Sequence, residues 1–301
     1  MKELQQKILA LKNDKNALIL AHYYQAREIQ EVADHVCDSF EMAQRALKAE
    51  EETLVICGVR FMAETAKILN PGKTVLLPVP GAGCPMADMI APGDVMRLRE
   101  RYPGAAVVCY VNSSAAVKAA CDVCCTSSSA EKIVSSLQEQ QIIFVPDRNL
   151  GAYVASKVPE KEIILFDGCC PIHDSVTEND VLAAKLAHPE AALLVHPECR
   201  AEVLSSADYI GSTAGIIKEA FTSSSREFII GTESEVAARL SALAPEKRFY
   251  PLMGGFECAD MKKIALSDIL ISLERNEYEV LVGVDDIIPA RNSLERMIAL
   301  G

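Results

Sequence analysis

Three glycine-bearing cysteine loops constrain this chain more than any other feature. Gly81-Ala82-Gly83-Cys84-Pro85-Met86 follows the strand-like run Thr74-Val75-Leu76-Leu77-Pro78. Gly168-Cys169-Cys170-Pro171 and Gly254-Gly255-Phe256-Glu257-Cys258 follow apolar runs of the same kind. Glycine permits tight backbone geometry there. A lone cysteine on such a loop is ordinarily a small buried residue. Cys84, Cys170 and Cys258, however, are spaced 86 and 88 residues apart. That spacing points to a unit used three times.

The rest of the chain keeps the phase. Leu18-Ile19-Leu20-Ala21-His22-Tyr23-Tyr24, Val107-Val108-Cys109-Tyr110-Val111-Asn112 and Leu193-Leu194-Val195-His196-Pro197-Glu198 are apolar runs ending in polar residues. Tyr24 to Ser39, Asn112 to Ser127 and Glu198 to Thr213 each span 15 residues. The loop cysteines follow 60, 58 and 60 residues after Tyr24, Asn112 and Glu198. Each unit reads as a polar helix, a strand, a helix, a hydroxyl residue opening another helix, a second strand, a helix and a third strand. The runs have strand length without alternation, as in parallel strands buried on both faces. The expected fold is α/β: three pseudo-threefold-related three-layer α/β/α domains around a central site. Their expected bounds are 1–93, 94–179 and 180–266. A tail, 267–301, adds a helix, a strand over Tyr278 to Val282 and a last helix from Pro289.

Charge narrows the function. A net charge of −12 without a Lys/Arg cluster excludes nucleic acid and anionic membrane as partners. No apolar run approaches the roughly 20 residues that span a bilayer, and the opening residues read as a polar helix, so a cytoplasmic location is expected. Eleven cysteines, an odd number, do not describe a disulfide framework. Cys121-Asp122-Val123-Cys124-Cys125 is the nearest thing to a zinc pattern, but no second pair completes it.

The repeat also builds a site. Ligands of parallel sheets bind beyond the carboxyl ends of the strands, where His22, Tyr24, Tyr110, Asn112, His196 and Glu198 fall. Ser39, Ser127 and Thr213 fall where helices begin, and a hydroxyl with free backbone N–H groups seats a phosphate or carboxylate. His35 and His188 read as surface residues, and His173 fits either the site or loop packing. Around a threefold axis the three loop cysteines converge. Three thiolates suit a zinc ion given a fourth protein ligand, or a cubane iron–sulfur cluster with one iron lacking a protein ligand. Such an iron is a Lewis acid suited to dehydration or condensation.

The motifs resemble those of the quinolinate synthase family from about Leu18 to Met297. They are Ala21-His22-Tyr23-Tyr24-Gln25, Gly58-Val59-Arg60-Phe61-Met62-Ala63-Glu64, Ala82-Gly83-Cys84-Pro85-Met86-Ala87, Tyr110-Val111-Asn112-Ser113-Ser114, Pro146-Asp147-Arg148-Asn149-Leu150-Gly151, His196-Pro197-Glu198-Cys199 and Cys258-Ala259-Asp260-Met261-Lys262. The resemblance implies a [4Fe–4S] cluster on Cys84, Cys170 and Cys258. It implies condensation of iminoaspartate (iminosuccinate) with dihydroxyacetone phosphate to quinolinate in NAD biosynthesis, with an aspartate-oxidising enzyme supplying the iminoaspartate. The implied substrate shell is His22, Ser39, Tyr110, Val111, Asn112, Ser127, His196, Pro197, Glu198 and Thr213. Tyr24 and Glu198 are the expected proton-transfer pair, with His22, His196 and Tyr110 beside them. The last motif has a single cysteine, without the Cys-x-x-Cys-x-x-Cys of some members. Two alternatives stand beside this reading: a radical-forming three-cysteine enzyme similar to the diphthamide-synthesis family, and a non-enzymatic iron or redox sensor.

Overall fold

The computed structural model describes residues 2–301; Met1, the first residue of the expected first unit, lies outside them. Its strands form three four-stranded sheets in which every pairing is parallel. The first holds β1 (Ala17–His22), β2 (His35–Cys37), β3 (Thr53–Cys57) and β4 (Thr74–Leu76), in the order β2-β1-β3-β4. The second holds β5 (Ala106–Tyr110), β6 (Val123–Cys125), β7 (Gln141–Val145) and β8 (Glu162–Leu165), in the order β6-β5-β7-β8. The third holds β9 (Ala192–Val195), β10 (Tyr209–Ile210), β11 (Glu227–Gly231) and β12 (Arg248–Pro251), in the order β10-β9-β11-β12. Helices flank each sheet, so the expected α/β class holds. β1, β3 and β5 are buried along their whole length, which is why they read as unbroken apolar runs.

The sequence reading missed β2, β6 and β10. At two or three residues each, they are too short to show a period. His35, read as a surface residue, lies in β2 and is half-buried. An aspartate precedes each of these edge strands and ties it to its central neighbour. Asp34, Asp122 and Asp208 accept from the backbone N–H of Ile19, Val107 and Leu193 at 2.8, 2.7 and 2.7 Å. Their own N–H groups donate to the carbonyls of the same three residues at 2.9, 3.0 and 2.9 Å. A second threefold set closes helix ends. Lys73 donates to the Ala49 carbonyl, Lys161 to that of Leu137 at 2.6 Å and Lys247 to that of Ser223 at 2.9 Å. These carbonyls have no partner within their own helices.

The sheets share their cores unequally. Both faces of the first and second sheets merge into one apolar cluster. In the third, Leu194, Phe228 and Ile230 join that cluster, whereas Leu193, Val195 and Ile229 belong to a separate one with Val181, Val203, Leu252 and Phe256. Alternate residues face opposite sides of a sheet, so the second cluster is the outer layer of the third sheet.

The tail departs from expectation. Among the described residues no strand forms over Tyr278–Val282. The segment makes only an isolated antiparallel bridge at Leu76 and Glu279, with Leu77 N–H donating to the Tyr278 carbonyl (3.1 Å) and Val280 N–H to that of Val75 (2.8 Å). The last helix runs Val284–Leu300 and encloses Pro289. Ala290, Ser293, Leu294 and Met297 are buried at helical spacing against helix Ala115–Ala119, β6 and helix Arg60–Leu69. Burial of a leucine-sized side chain is worth about 1.5–3 kcal/mol, comparable to the proline penalty of about 3 kcal/mol. The helix thereby joins the first and second sheets. No helix among the described residues is long and apolar enough to cross a membrane.

Candidate active site

Backbone hydrogen bonds aim the three cysteine loops at one place. The N–H groups of Arg60, Arg148 and Ser234 donate to the carbonyls of Ala82, Gly168 and Phe256, each at 2.8 Å. Each donor lies at the start of the helix after β3, β7 or β11, and each acceptor lies two residues before a cysteine. Side chains then tie loop to loop. Gly83 N–H donates to Asp260 Oδ1 (3.1 Å), joining the Cys84 and Cys258 loops. Asp147 caps helix Arg148–Lys157 and accepts from Cys170 N–H at 3.0 Å.

Cys84, Cys170 and Cys258, one from the end of each sheet, are half-buried and line one cavity of about 80 Å³. The same walls carry His22, Tyr24, Ser39, Tyr110, Asn112, Ser127, His196, Glu198 and Thr213. Val111 and Pro197 are buried without lining it, and Val111 borders a small adjoining crevice. The cavity meets a wider groove of about 760 Å³, which shares Asp38, Phe40 and Ser127 and carries Arg45, Lys48 and Lys218.

The turn after β1 and the turn after β9 use the same device. Tyr24 N–H donates to His22 Nδ1 (3.2 Å), and Glu198 N–H to His196 Nδ1 (3.4 Å). In each neutral ring the proton is therefore on Nε2. Ser39 and Thr213 are the first residues of helices Ser39–Lys48 and Thr213–Thr222, capped by Asp38 and Ser212. Ser127 departs from this pattern, because it lies in a turn ahead of helix Ala130–Ser136. Thr126 N–H bonds to Ser129 Oγ (3.0 Å), and the Thr126, Ser128 and Ser129 hydroxyls bond among themselves. Local hydroxyl bonds of this kind compete with helix.

Glu198 is the electrostatic centre. Tyr110 donates its hydroxyl to Glu198 Oε1 at 2.6 Å, and His173 Nδ1 lies 2.7 Å from Oε2. Burial works against the charge, but His196, His173 and these hydrogen bonds outweigh it and hold the carboxyl down at about 2. Burial pushes His22 down to about 3 and His196 to about 4, so both rings are neutral at pH 7. Burial, then the charge of Glu198, pushes Tyr24 and Tyr110 well up and raises Asp147 to about 8. Asn112 Oδ1 is buried with no hydrogen-bond partner. An unpaired buried acceptor in a cavity wall calls for a ligand donor.

His173, left open by the sequence, belongs to the site: its Nδ1 is also 3.2 Å from Cys170 Sγ. Cys170, His173 and Glu198 present their ligand atoms within 4.8 Å of one another. Thr232, Glu233 and Lys262 were missed. Lys262 Nζ reaches the Tyr24 carbonyl (2.6 Å) and Glu233 Oε1 (2.9 Å). Thr232 and Glu233 do stand at the end of β11, but in phase with Gly58 and Pro146, and with Val59 and Asp147, so the repeat did not mark them. Cys121, Cys124 and Cys125 are buried, and no metal-binding set forms around them among the described residues.

The donor set also sizes its guest. Tetrahedral zinc, with bonds of about 2.3 Å, would bring sulfurs to about 3.8 Å of each other. The sulfurs of Cys84, Cys170 and Cys258 do not form a set within 4.8 Å. They fit a group wider than one ion, and three thiolates from three loops suit an iron–sulfur cluster with one open position.

A polar cavity gathered from the strand ends of three parallel sheets defines an α/β enzyme. The family model for quinolinate synthetase A protein matches residues 6–299. The chain is 50% identical over 300 residues to quinolinate synthase of Caldicellulosiruptor saccharolyticus, covering 100% of this chain and 99% of that protein. It is 49% identical over 295 residues to quinolinate synthase 2 of Methanosarcina acetivorans, covering 98% and 95%. Against quinolinate synthase of Thermodesulfovibrio yellowstonii the figures are 48% over 295 residues, covering 98% and 97%. The chain belongs to the quinolinate synthase family, enzymes of NAD biosynthesis.

Proposed function

We propose that this chain condenses iminoaspartate with dihydroxyacetone phosphate to quinolinate, releasing one phosphate and two waters, with a [4Fe–4S] cluster held by Cys84, Cys170 and Cys258. The observation that carries this reading is the meeting of three thiols, one per sheet, beside an ionised glutamate and its phenol partner. When bound, the cluster supplies an open iron that acts as a Lewis acid toward a leaving hydroxyl. Every other part falls to the chain. The Ser39, Ser127 and Thr213 hydroxyls, with the N-termini of helices Ser39–Lys48 and Thr213–Thr222, hold the carboxylates and phosphate. The Nε2–H groups of His22 and His196 donate to the same anions. Asn112 Oδ1 accepts from a substrate N–H or hydroxyl. Glu198 removes a proton during carbon–carbon bond formation, and Tyr110 orients its carboxylate.

We also propose 1–93, 94–179 and 180–266 as the bounds of the three units, with 267–301 as a tail packed on them. An imine hydrolyses in water, so an aspartate-oxidising enzyme close by, in the cytoplasm, is the proposed source. The test is anaerobic. Protein reconstituted with iron and sulfide receives dihydroxyacetone phosphate and iminoaspartate generated in the cuvette, and quinolinate is measured by mass spectrometry. An intact cluster with no quinolinate overturns the reading. Cleavage of S-adenosylmethionine by the reduced protein would favour the radical alternative instead.

A further inference from the structure

Glu198 is gripped at both ends from the second unit. Its carboxylate meets Tyr110 and His173, and His173 is itself fixed, with Nε2 3.0 Å from the Thr232 hydroxyl. Its carbonyl accepts from Asn149 Nδ2 at 3.0 Å. Asn149 is the second residue of helix Arg148–Lys157. Its amide nitrogen also donates to Asp174 Oδ1 at 2.9 Å. Both neighbours, a carbonyl and a carboxylate, are acceptors, so the amide can face them only with its nitrogen. Asp174 is held in turn by Arg148 Nη2 at 3.1 Å and Arg200 Nη2 at 3.2 Å. It directly follows His173 on helix Pro171–Asp174. One short helix therefore anchors the carboxylate of Glu198 through His173, and its carbonyl through Asp174 and Asn149.

The other two units are fastened in the same cyclic order. Tyr24 matches Glu198 in the repeat, and its carbonyl accepts from Lys262 Nζ of the third unit at 2.6 Å. Glu235, which matches Asn149, holds that ammonium at 3.4 Å. In the second unit the turn after β5 is caught at Ala115, whose N–H donates to Glu64 Oε2 of the first unit at 2.9 Å. Each strand-end turn is thus set by a side chain of the unit before it.

We propose that Asn149 is a positioning residue for Glu198, fixing from the second unit the main chain that carries the third unit's carboxylate. Carbonyl and side chain leave the same Cα. A shift of the main chain there draws the carboxylate away from partners at 2.6 and 2.7 Å. The role in turnover rests on the proposed reaction, in which Glu198 is the base.

The test compares cluster-loaded Asn149→Ala with Arg200→Ala. Arg200 ties the same turn to Asp174, but through a half-exposed side chain that does not touch Glu198. Asn149→Ala lowers kcat per intact cluster by about tenfold to a hundredfold and moves KM by less than about threefold. Arg200→Ala stays within about twofold of wild type. In a Glu198→Gln background Asn149→Ala costs nothing further, because the base it places is already gone. Asn149→Ser serves in the same way should the alanine variant fail to load its cluster. Protein labelled with ¹³C-glutamate and ¹⁵N-cysteine gives an answer independent of turnover. In Asn149→Ala the Glu198 carbonyl, found through its bond to the Cys199 nitrogen, shifts. The Glu198 carboxylate carbon, recognised by its loss in Glu198→Gln, shifts with it. Unchanged turnover in Asn149→Ala, equal losses in Asn149→Ala and Arg200→Ala, additive losses with Glu198→Gln, or a carboxylate carbon that stays in place would each overturn the assignment. Wild-type enzyme that holds its cluster but makes no quinolinate removes the proposed reaction, and the two carbons then decide the positioning.

Discussion

The turns after β1 and β9 are one structure built twice, whereas the turn after β5 is its variant. In the first two, a histidine ring accepts the N–H two residues on and turns Nε2 to the cavity. After β5 that position holds Tyr110, and Ser113 bonds back to the Tyr110 carbonyl at 2.8 Å instead. Two residues further on stand a phenol, an amide and a carboxylate: Tyr24, Asn112 and Glu198. The repeated backbone decides where each group goes, and the side chain decides what it does. The third unit supplies the ionised group, and the second brings its phenol and His173 to that group.

The comparison breaks most sharply at the cysteines, where no unit is privileged. Cys84→Ser, Cys170→Ser and Cys258→Ser each abolish cluster incorporation, because hydroxyls are far poorer iron ligands than thiolates. Cys169→Ser, one residue away, retains the cluster. Iron and sulfide analysis after anaerobic reconstitution decides it. A Cys170→Ser protein that keeps its cluster beside a Cys169→Ser protein that loses it would reverse the assignment.

Unequal roles appear next. Glu198→Gln lowers turnover per cluster by about 10²–10⁴-fold, the range for losing a positioned acid or base. Asn112→Ala, at the matching place in the second unit, costs about fivefold to tenfold, one neutral hydrogen bond. Equal losses at the two positions would show that both only position the substrate.

Acid stability separates the units in a third way. His22 and His196 are pushed by burial below the ordinary histidine value, to about 3 and about 4. From about pH 6.5 downward the unfolded chain takes up protons that the folded chain refuses, so stability falls as pH falls, by about 1.4 kcal/mol per pH unit for each ring. His22→Gln therefore flattens the decline between about pH 6.5 and 5, whereas Tyr110→Phe leaves it unchanged. Denaturant titrations of anaerobic protein at several pH values measure this. A wild-type slope in His22→Gln would mean that the folded protein accepts a proton at that ring.

The smallest effects belong to the residues the units share most closely. Asp34→Ala, Asp122→Ala and Asp208→Ala each cost about 1.5–3 kcal/mol of stability, the range for hydrogen bonds to a charged group. Turnover per intact cluster stays as in wild type. Asp34 and Asp122 also pair with Lys12 and Arg99 at 2.6 and 2.8 Å, so their losses sit at the upper end. A tenfold fall in turnover from any of the three would give the edge strands a part in catalysis.

Those aspartates mark the limit of what the sequence made legible. They keep the phase of Tyr24 and Ser39 perfectly, but acids are common before turns and stood out only once their bonds to the central strands were visible. Long, wholly buried strands such as β1 and β5 announce themselves by composition, whereas β10, with two residues, announces nothing. Strand-end logic found His22, Tyr110 and Glu198 because the repeat supplied three copies to compare. It passed over Thr232 and Glu233, whose counterparts after β3 and β7 include glycine and proline. Pro289 misplaced a helix start for another reason: tertiary burial of Leu294 and Met297 holds a helix that local preference would begin later.

The brevity of β2, β6 and β10 has a consequence for the protein in a crowded solution. An open sheet edge is a row of unpaired backbone groups that invites a strand from another molecule. Here each sheet ends on one side in a strand of three, three or two residues. On the opposite side of the first sheet, the chain itself meets β4 through Tyr278 and Val280. On those three edges an intruding strand finds little to copy, and that protection comes with the same short segments that the aspartates hold in place.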